Sequence, residues 1–328
     1  MRAIVCNELG PASQLALEDF ADPVPGPDDA VIDVMAAGVN FPDTLIIQGK
    51  YQVRPPLPFV PGAEAAGVVR AVGANVNHIQ PGARVIALGN HYGSFAEQQA
   101  VPGASLLPMP DEMDFITGAG FGLTYGTSYY ALKQRAALQP GETLLVLGAA
   151  GGVGLAAVEL GRAMGARVIA AASSDDKLAV AEAAGAVEGI NYSSESLKDR
   201  VKTLTDGKGV DVVYDPVGGE LSEQALRATG WNGRLLVVGF AAGDIPRIPL
   251  NLPLLKNNAI VGVFWGAWMA REPDASRQNY QELFQMYRDG VLQPLVSQVF
   301  ALDDFLAAFD TLTERRARGK VILKVRDV

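Results

Sequence analysis

The sequence predicts an α/β protein in which a mostly β domain is followed by a mostly parallel, doubly wound sheet. Three observations carry that prediction. Residues 142–154, ETLLVLGAAGGVG, run from a short apolar strand through a glycine bend into the small-residue start of a helix. From residue 141 onward, apolar runs of strand length alternate with helical patterns, as βαβ units require. Upstream the chain is instead cut into short pieces by Pro23, Pro25, Gly26, Pro27, Pro55, Pro56, Pro58, Pro61, Gly62, Pro81 and Gly82.

The elements follow in order. Residues 1–6, 30–35 and 67–71 read as strands, and regular turns between such short strands suggest a barrel-like arrangement. FGLTYGTSYYALKQ, within residues 118–134, reads as a helix entered from a glycine turn. Residues 143–147 are the first strand of the second region, and 167–172, 210–214, 234–238 and 259–263 continue it. Helical patterns lie between them at 177–184, 195–205 and 221–228. Residues 277–289 form a helix with Leu283, Met286 and Tyr287 on one face, and 305–311 form another. Residues 321–325 are a last strand, expected to return to the first domain. There is no internal repeat.

Composition bounds the function. At 328 residues the chain can bury two cores, and 49% apolar with 19% charged residues is an ordinary globular balance. A net charge of -9 argues against nucleic acid and anionic membrane as partners. The single cysteine, Cys6, excludes a disulfide framework and suits a reducing compartment. No apolar run reaches spanning length and the first residues do not form a leader, so a soluble cytoplasmic protein is expected.

The glycine bend carries the chemistry. Gly148, Ala150, Gly151, Gly152 and Val153 form a bend that lets a pyrophosphate approach the backbone, and the helix start behind it presents free N–H groups. Ala149 breaks the strict G-x-G-x-x-G frame that ends at Gly154. Ala156, Ala157, Gly161, Ala163 and Gly165 restore the context, because small residues let the helix lie close on a sheet. The second strand then ends in Ser173 and Ser174, without the carboxylate that binds the ribose hydroxyls of NAD. Ser173, Ser174 and Lys177 can hold a 2′-phosphate, so NADPH is expected; Asp175 and Asp176 oppose this, unless they are first-turn acids behind a serine cap.

At this point six stretches carry a resemblance: AAGVNFPDTLIIQGKY, PFVPGAEAAGVV, GSFAEQ, LTYGTSYYAL, LGAAGGVG and GKVILK. In this order, across nearly the whole chain, they resemble the zinc-free quinone oxidoreductases of the medium-chain dehydrogenase/reductase superfamily. The resemblance implies a GroES-like catalytic domain from residues 1–122 and 267–328, a Rossmann dinucleotide-binding domain from 123–266, and a homodimer formed through the Rossmann sheets. Where the superfamily's zinc enzymes hold metal with thiolates and an imidazole, the matching segments here carry Asn40 and Ala63. His78 and His91 lie in turn-like stretches and Glu64 has lost its imidazole neighbour, so no metal site is expected.

Without a metal, hydride must go to an acceptor already activated by conjugation, such as a quinone, an enone or an enoyl thioester. The protein then positions the acceptor and stabilises charge growing on oxygen. Asn40, Asp43, Tyr51, Thr124 and Thr127 supply short hydrogen-bonding groups; for Asn40 and Asp43 turn capping is the competing explanation, and for Tyr51 a partly buried loop tyrosine. The resemblance implies that Asn40, Tyr51 and Thr127 line the nicotinamide pocket. It puts Tyr51 where related enoyl-thioester reductases place a proton donor, and makes Tyr192 and Arg316 phosphate neighbours. Turns at 215–219 and at Gly239, Phe240 and Gly243, with backbone groups of Phe264 and Trp265, are expected to serve the same cofactor. Trp231 and Trp268 are read as core or interface residues. The expected activity is NADPH-dependent reduction of a quinone or other conjugated carbonyl. The alternatives are reduction of an enoyl-CoA, aided by Lys50 and Arg54, or NADPH binding without turnover.

Overall fold

The structure, a computed structural model, describes residues 1–89 and 92–326. It divides into two compact units, Met1–Leu123 with Pro294–Val328, and Thr124–Gln293.

In the first unit β1 (Arg2–Val5), β2 (Ala16–Asp19) and β3 (Asp29–Val39) lead into α1 (Phe41–Ile46). β4 (Glu64–Val72), β5 (Arg84–Leu88), β6 (Gln98–Pro102) and β7 (Leu106–Pro108) follow, and then α2 (Phe115–Tyr130). The second unit alternates β8 (Thr143–Leu147), α3 (Gly152–Ala163), β9 (Arg167–Ala172), α4 (Asp175–Ala183), β10 (Glu188–Asn191), α5 (Leu197–Leu204) and β11 (Val210–Asp215). It continues with α6 (Gly219–Ala228), β12 (Thr229–Val237), α7 (Asn251–Lys256), β13 (Ala259–Gly262), α8 (Trp265–Arg271) and α9 (Pro273–Arg288). The chain ends with β14 (Val296–Ala301), α10 (Phe305–Thr313) and β15 (Lys320–Lys324).

β1 and β2 form an antiparallel ribbon, and the main sheet of the first unit runs β14-β15-β3-β4-β5-β7 with β6 also on β3. The last strand does return: β15 pairs antiparallel with β3 from Val321↔Val39 to Lys324↔Ala36. Its core gathers Ile4, Ile32, Val34, Ile46, Phe95, Phe309 and Leu323. The second unit is one parallel sheet in the order β10-β9-β8-β11-β12-β13. Chain order reverses between β8 and β11, and ligands of such sheets bind at that switch, beyond the carboxyl ends. Leu144, Leu145, Val146 and Leu147 are wholly buried, as a central strand covered on both faces must be.

Three expectations need correcting. The boundary in the C-terminal half falls at Gln293 and Pro294, not at residue 266. α8 and α9 stay with the second unit because Lys133 and Gln134 hold Asn279, Tyr129 and Lys133 hold Glu282, and Tyr130 stacks on Trp268 at 4.4 Å. α2 begins at Phe115, behind Asp114, whose carboxylate accepts the Thr117 N–H at 2.7 Å. Gly118 and Gly122 are therefore not turn residues. A Cβ there would strike Met109 and Leu88, so they let the helix pack closely. Finally, the strand expected over 259–263 ends at Gly262, and a helix opens at Trp265.

One buried ion pair ties the two ends of the first unit. Lys320 of β15 meets Glu64 of β4 at 2.9 Å, with their side chains 7% and 0% exposed. The other Glu64 oxygen accepts the Leu123 N–H of α2 at 2.7 Å. A buried pair adds little net stability, but removing one partner strands the other charge. Lys320→Met is expected to cost about 3–5 kcal/mol in denaturant unfolding, and Lys320→Met with Glu64→Gln to recover most of it. A single-variant cost below about 1 kcal/mol would mean that water reaches the pair.

Candidate active site

In the first unit the site is built where β3 ends and α1 begins. Asn40 precedes α1 with extended backbone, and its N–H donates to the Asp43 carboxylate at 2.7 Å, the returning half of a capping box. The Asn40 side chain is also engaged away from the helix. Its amide donates to the Gly38 carbonyl (3.2 Å) and to Glu64 Oε2 (3.1 Å), and its oxygen accepts Lys320 Nζ at 2.7 Å. Both amide hydrogens are thus engaged within the protein. Glu64 is structural here, as expected of a carboxylate without its imidazole neighbour.

Asp43 is 1% exposed, and its second oxygen is sealed from solvent with no hydrogen-bond partner. Burial pushes its carboxyl up to about 7; the Asn40 N–H and Lys320 pull it down, and Glu64 pushes it further up. Half-buried Tyr51 packs on the same core, and its phenol is raised by burial and then by Asp43. Asn40, Asp43 and Tyr51 are therefore brought together. Sequence reasoning missed Lys320. Lys320 is 280 residues from Asn40, and no local pattern reports such a pairing.

In the second unit the strand register gathers the expected cofactor residues on one carboxyl edge. Leu147 pairs with Ala171, Asn191 with Ala172, Asp215 with Val237 and Val237 with Gly262. Gly148, Ser173, Tyr192, Gly239 and Phe264 consequently all lie just past that edge. Gly148 has φ +58°, a conformation that suits glycine, and a Cβ on Gly154 would overlap the Gly148 carbonyl oxygen. The bend can close only with glycine at 154. Beside Gly151, by contrast, a Cβ would meet nothing but that carbonyl at 3.4 Å. This opening, at the start of the 12-residue α3, fits a pyrophosphate against the N–H groups of Gly152 and Val153. Ala150 is buried in the bend.

At the tip of β9, Lys177 Nζ donates to the Ser173 hydroxyl at 3.2 Å and the Ser193 hydroxyl donates to the Ser173 carbonyl at 2.9 Å. Ser174 is the N-cap of α4 by backbone, without a side-chain capping bond. Asp175, which weighed against a phosphate, is held by the Asn191 amide at 2.8 Å. Asp215 holds its own turn: it accepts the N–H groups of Val217 and Gly218 at 2.9 Å and the Ser222 hydroxyl at 2.5 Å. That turn is pinned to the next one by Ala241 N–H to Pro216 O and Ala242 N–H to Val217 O, which fixes Gly239 and Phe240.

Other expectations fare differently. Thr124 and Thr127 lie within α2 rather than at its start, the first buried and the second half-buried. The Phe264 carbonyl accepts the Trp268 N–H, so it is engaged as a helix cap, and Trp265 is buried. Trp268 is core, whereas Trp231 is exposed. Arg316 belongs to the first unit, where its guanidinium pairs with Glu314 at 2.7 Å. His78 is exposed and shares a hydrogen bond with the Gly103 carbonyl; His91 lies outside the described residues. Among the described residues no group of three or more His, Cys, Asp or Glu could hold a metal ion. No described helix is long and apolar enough to cross a membrane.

Known proteins resemble this chain in sequence and fold. Residues 26–111 match the alcohol dehydrogenase GroES-like domain and 152–287 a profile described as zinc-binding dehydrogenase. The chain is 40% identical over 328 residues to a quinone oxidoreductase-like protein 2 homolog of Nematostella vectensis, spanning 99% of this chain and 89% of that protein. It is 32% identical over 326 residues to the quinone oxidoreductase of Homo sapiens, spanning 98% and 97%. The structure is similar to Escherichia coli quinone oxidoreductase complexed with NADPH, with a TM-score of 0.94, 30% identity, and 99% and 100% of the two chains covered.

The burial of Asp43 has a measurable consequence. An acid whose folded pKa is raised binds its proton more tightly in the native state. Its contribution is full below the unfolded value of 3.8 and is lost as pH rises through about 7. Relative to Asp43→Asn, which is neutral throughout, the wild type should lose about 4 kcal/mol between roughly pH 4 and 7 and then level off. Denaturant unfolding across that range reads the difference. Parallel curves would mean that Asp43 ionises like an exposed carboxylate.

Proposed function

The chain belongs to the quinone oxidoreductase family of the medium-chain dehydrogenase/reductase superfamily, and on that premise we propose that it is an NADPH-dependent reductase acting on a quinone or another conjugated carbonyl. The observation that carries the reading is the open glycine bend after β8 beside a β9 tip lined with hydroxyls and an ammonium. The Escherichia coli relative's structure holds NADPH, which supports the same choice here.

Bound NADPH would supply hydride from its nicotinamide ring. The rest is done by this chain's own groups. The N–H groups of Gly152 and Val153 bind the pyrophosphate. Ser173, Ser174, Lys177 and Tyr192 hold the ribose phosphate. Gly239, Phe240, Phe264, Trp265 and Thr127 shape the nicotinamide end. Asn40, locked on Glu64 and Lys320, fixes the head of α1 and with it Asp43. Tyr51, a phenol that is protonated at neutral pH as any ordinary tyrosine is, donates to the oxygen on which charge grows.

A homodimer belongs to this reading. β13 is the outer strand of its sheet, and Leu250, Leu254, Leu255 and Ile260 are exposed around it. Pairing that edge with its copy across a two-fold axis would cover them. A cytosolic setting fits the one buried, unpaired thiol, Cys6.

Steady-state oxidation of NADPH with a quinone and with crotonyl-CoA tests the substrate. Higher kcat/KM for the quinone is expected; preference for the thioester by orders of magnitude would replace the quinone, and no turnover with either would leave a binding protein. Lys177→Ala should weaken NADPH about tenfold, the scale of one charge-assisted hydrogen bond, and leave NADH unchanged in calorimetry. Equal losses for both cofactors would contradict the phosphate assignment.

A further inference from the structure

The open bend after β8 has few side chains of its own to hold it. Gly151, Gly152 and Gly154 carry none, and glycine loses more conformational freedom on ordering than any other residue. Gly151, Gly152 and Val153 are only half-buried. Two backbone bonds serve within the bend: Gly151 N–H donates to the Gly148 carbonyl at 3.0 Å, and Leu155 N–H to the Gly151 carbonyl at 2.8 Å.

A third bond comes from a different helix. The Ser128 hydroxyl of α2 donates to the Val153 carbonyl at 2.8 Å, and its oxygen lies 2.8 Å from the Tyr214 hydroxyl of β11. The proton directions follow from the groups themselves. A carbonyl cannot donate, so Ser128 gives its one hydrogen to Val153 and accepts that of Tyr214. Each hydroxyl hydrogen is used, and successive bonds of this kind polarise and strengthen one another. Both side chains are wholly buried, and Tyr214 is among the largest that are. Alanine and phenylalanine would fill the same space without burying two hydroxyls, so packing alone does not explain this pair. The relay runs from β11 through α2 and ends on the residue whose N–H faces the pyrophosphate.

We propose that Ser128 and Tyr214 are positioning residues for the cofactor: their hydroxyl relay fixes the first turn of α3, so that the N–H groups of Gly152 and Val153 are aimed before the pyrophosphate arrives. The inference rests on the dinucleotide reading given above and adds the device that holds its bend. Neither hydroxyl touches the cofactor; both act through the Val153 carbonyl. A ligand that meets an ordered turn does not have to order it.

The test is calorimetry of NADPH and of NADH with the full-length wild type, Ser128→Ala, Tyr214→Phe and the double variant. Ser128→Ala should weaken both dinucleotides by the same factor, about tenfold, because the pyrophosphate is common to them. Tyr214→Phe keeps the bond from Ser128 to Val153 and should weaken both only about two- to threefold. Melting temperature separates positioning from folding. Ser128→Ala strands the Tyr214 hydroxyl and should melt early, whereas the double variant removes both hydroxyls and should melt near the wild type. Its affinity should nevertheless stay about tenfold down. Affinity that returns with the melting temperature, unchanged affinity in Ser128→Ala, a loss confined to NADPH, or a double variant that does not fold would each overturn the inference. The two readings fail separately. A wild type that binds neither dinucleotide removes the cofactor reading and the inference with it. A wild type that binds both, while Ser128→Ala binds them as tightly, removes the inference alone.

Discussion

Burying the Glu64 carboxylate away from water obliges the first unit to surround it with donors, and it recruits them from distant parts of the chain. Lys320 comes from the last strand, the Asn40 amide from the junction of β3 and α1, and the Leu123 N–H from α2. An unpaired charge there would be expensive, so the three donors cannot relax independently. Asn40 is thereby fixed, and through its own N–H it fixes Asp43. The Asp43 carboxyl is held in place, through Asn40, by the ion pair of Glu64 and Lys320.

The second unit meets a different constraint. Its parallel sheet brings the ends of six strands to one edge, and the chain must turn sharply at each. The turn after β8 is closed by the approach of α3 to the Gly148 carbonyl, which leaves no space for a side chain at Gly154. The turn after β11 is closed by Asp215, whose carboxylate satisfies two backbone N–H groups and a hydroxyl. One bend stays open for a ligand and the other is filled by its own side chain.

Much of this was legible in the sequence, for a physical reason. The second unit is built from local patterns: apolar runs bounded by glycine, small residues on α3, and a serine pair where a carboxylate would bind NAD. Strand β9 matched its expected bounds to the residue. What escaped was long-range or masked by composition. The Lys320 contacts span 256 and 280 residues. The glycines of α2 imitate a turn although they serve packing, and Asp114, an ordinary N-cap, was the signal for its true start. α8 was hidden because FWGAW continues the apolar run of β13, and an apolar run alone does not separate strand from helix.

Asp43 is a buried acid whose carboxyl is raised to about 7, by burial against the pull of Lys320 and the Asn40 N–H. Carbon-13 NMR titration of its side-chain carboxyl in the native protein measures this most directly. A midpoint near 7 is the result the structure predicts. A midpoint close to the ordinary value of 3.8 would contradict it, and with it the arrangement of charges on which the site is built.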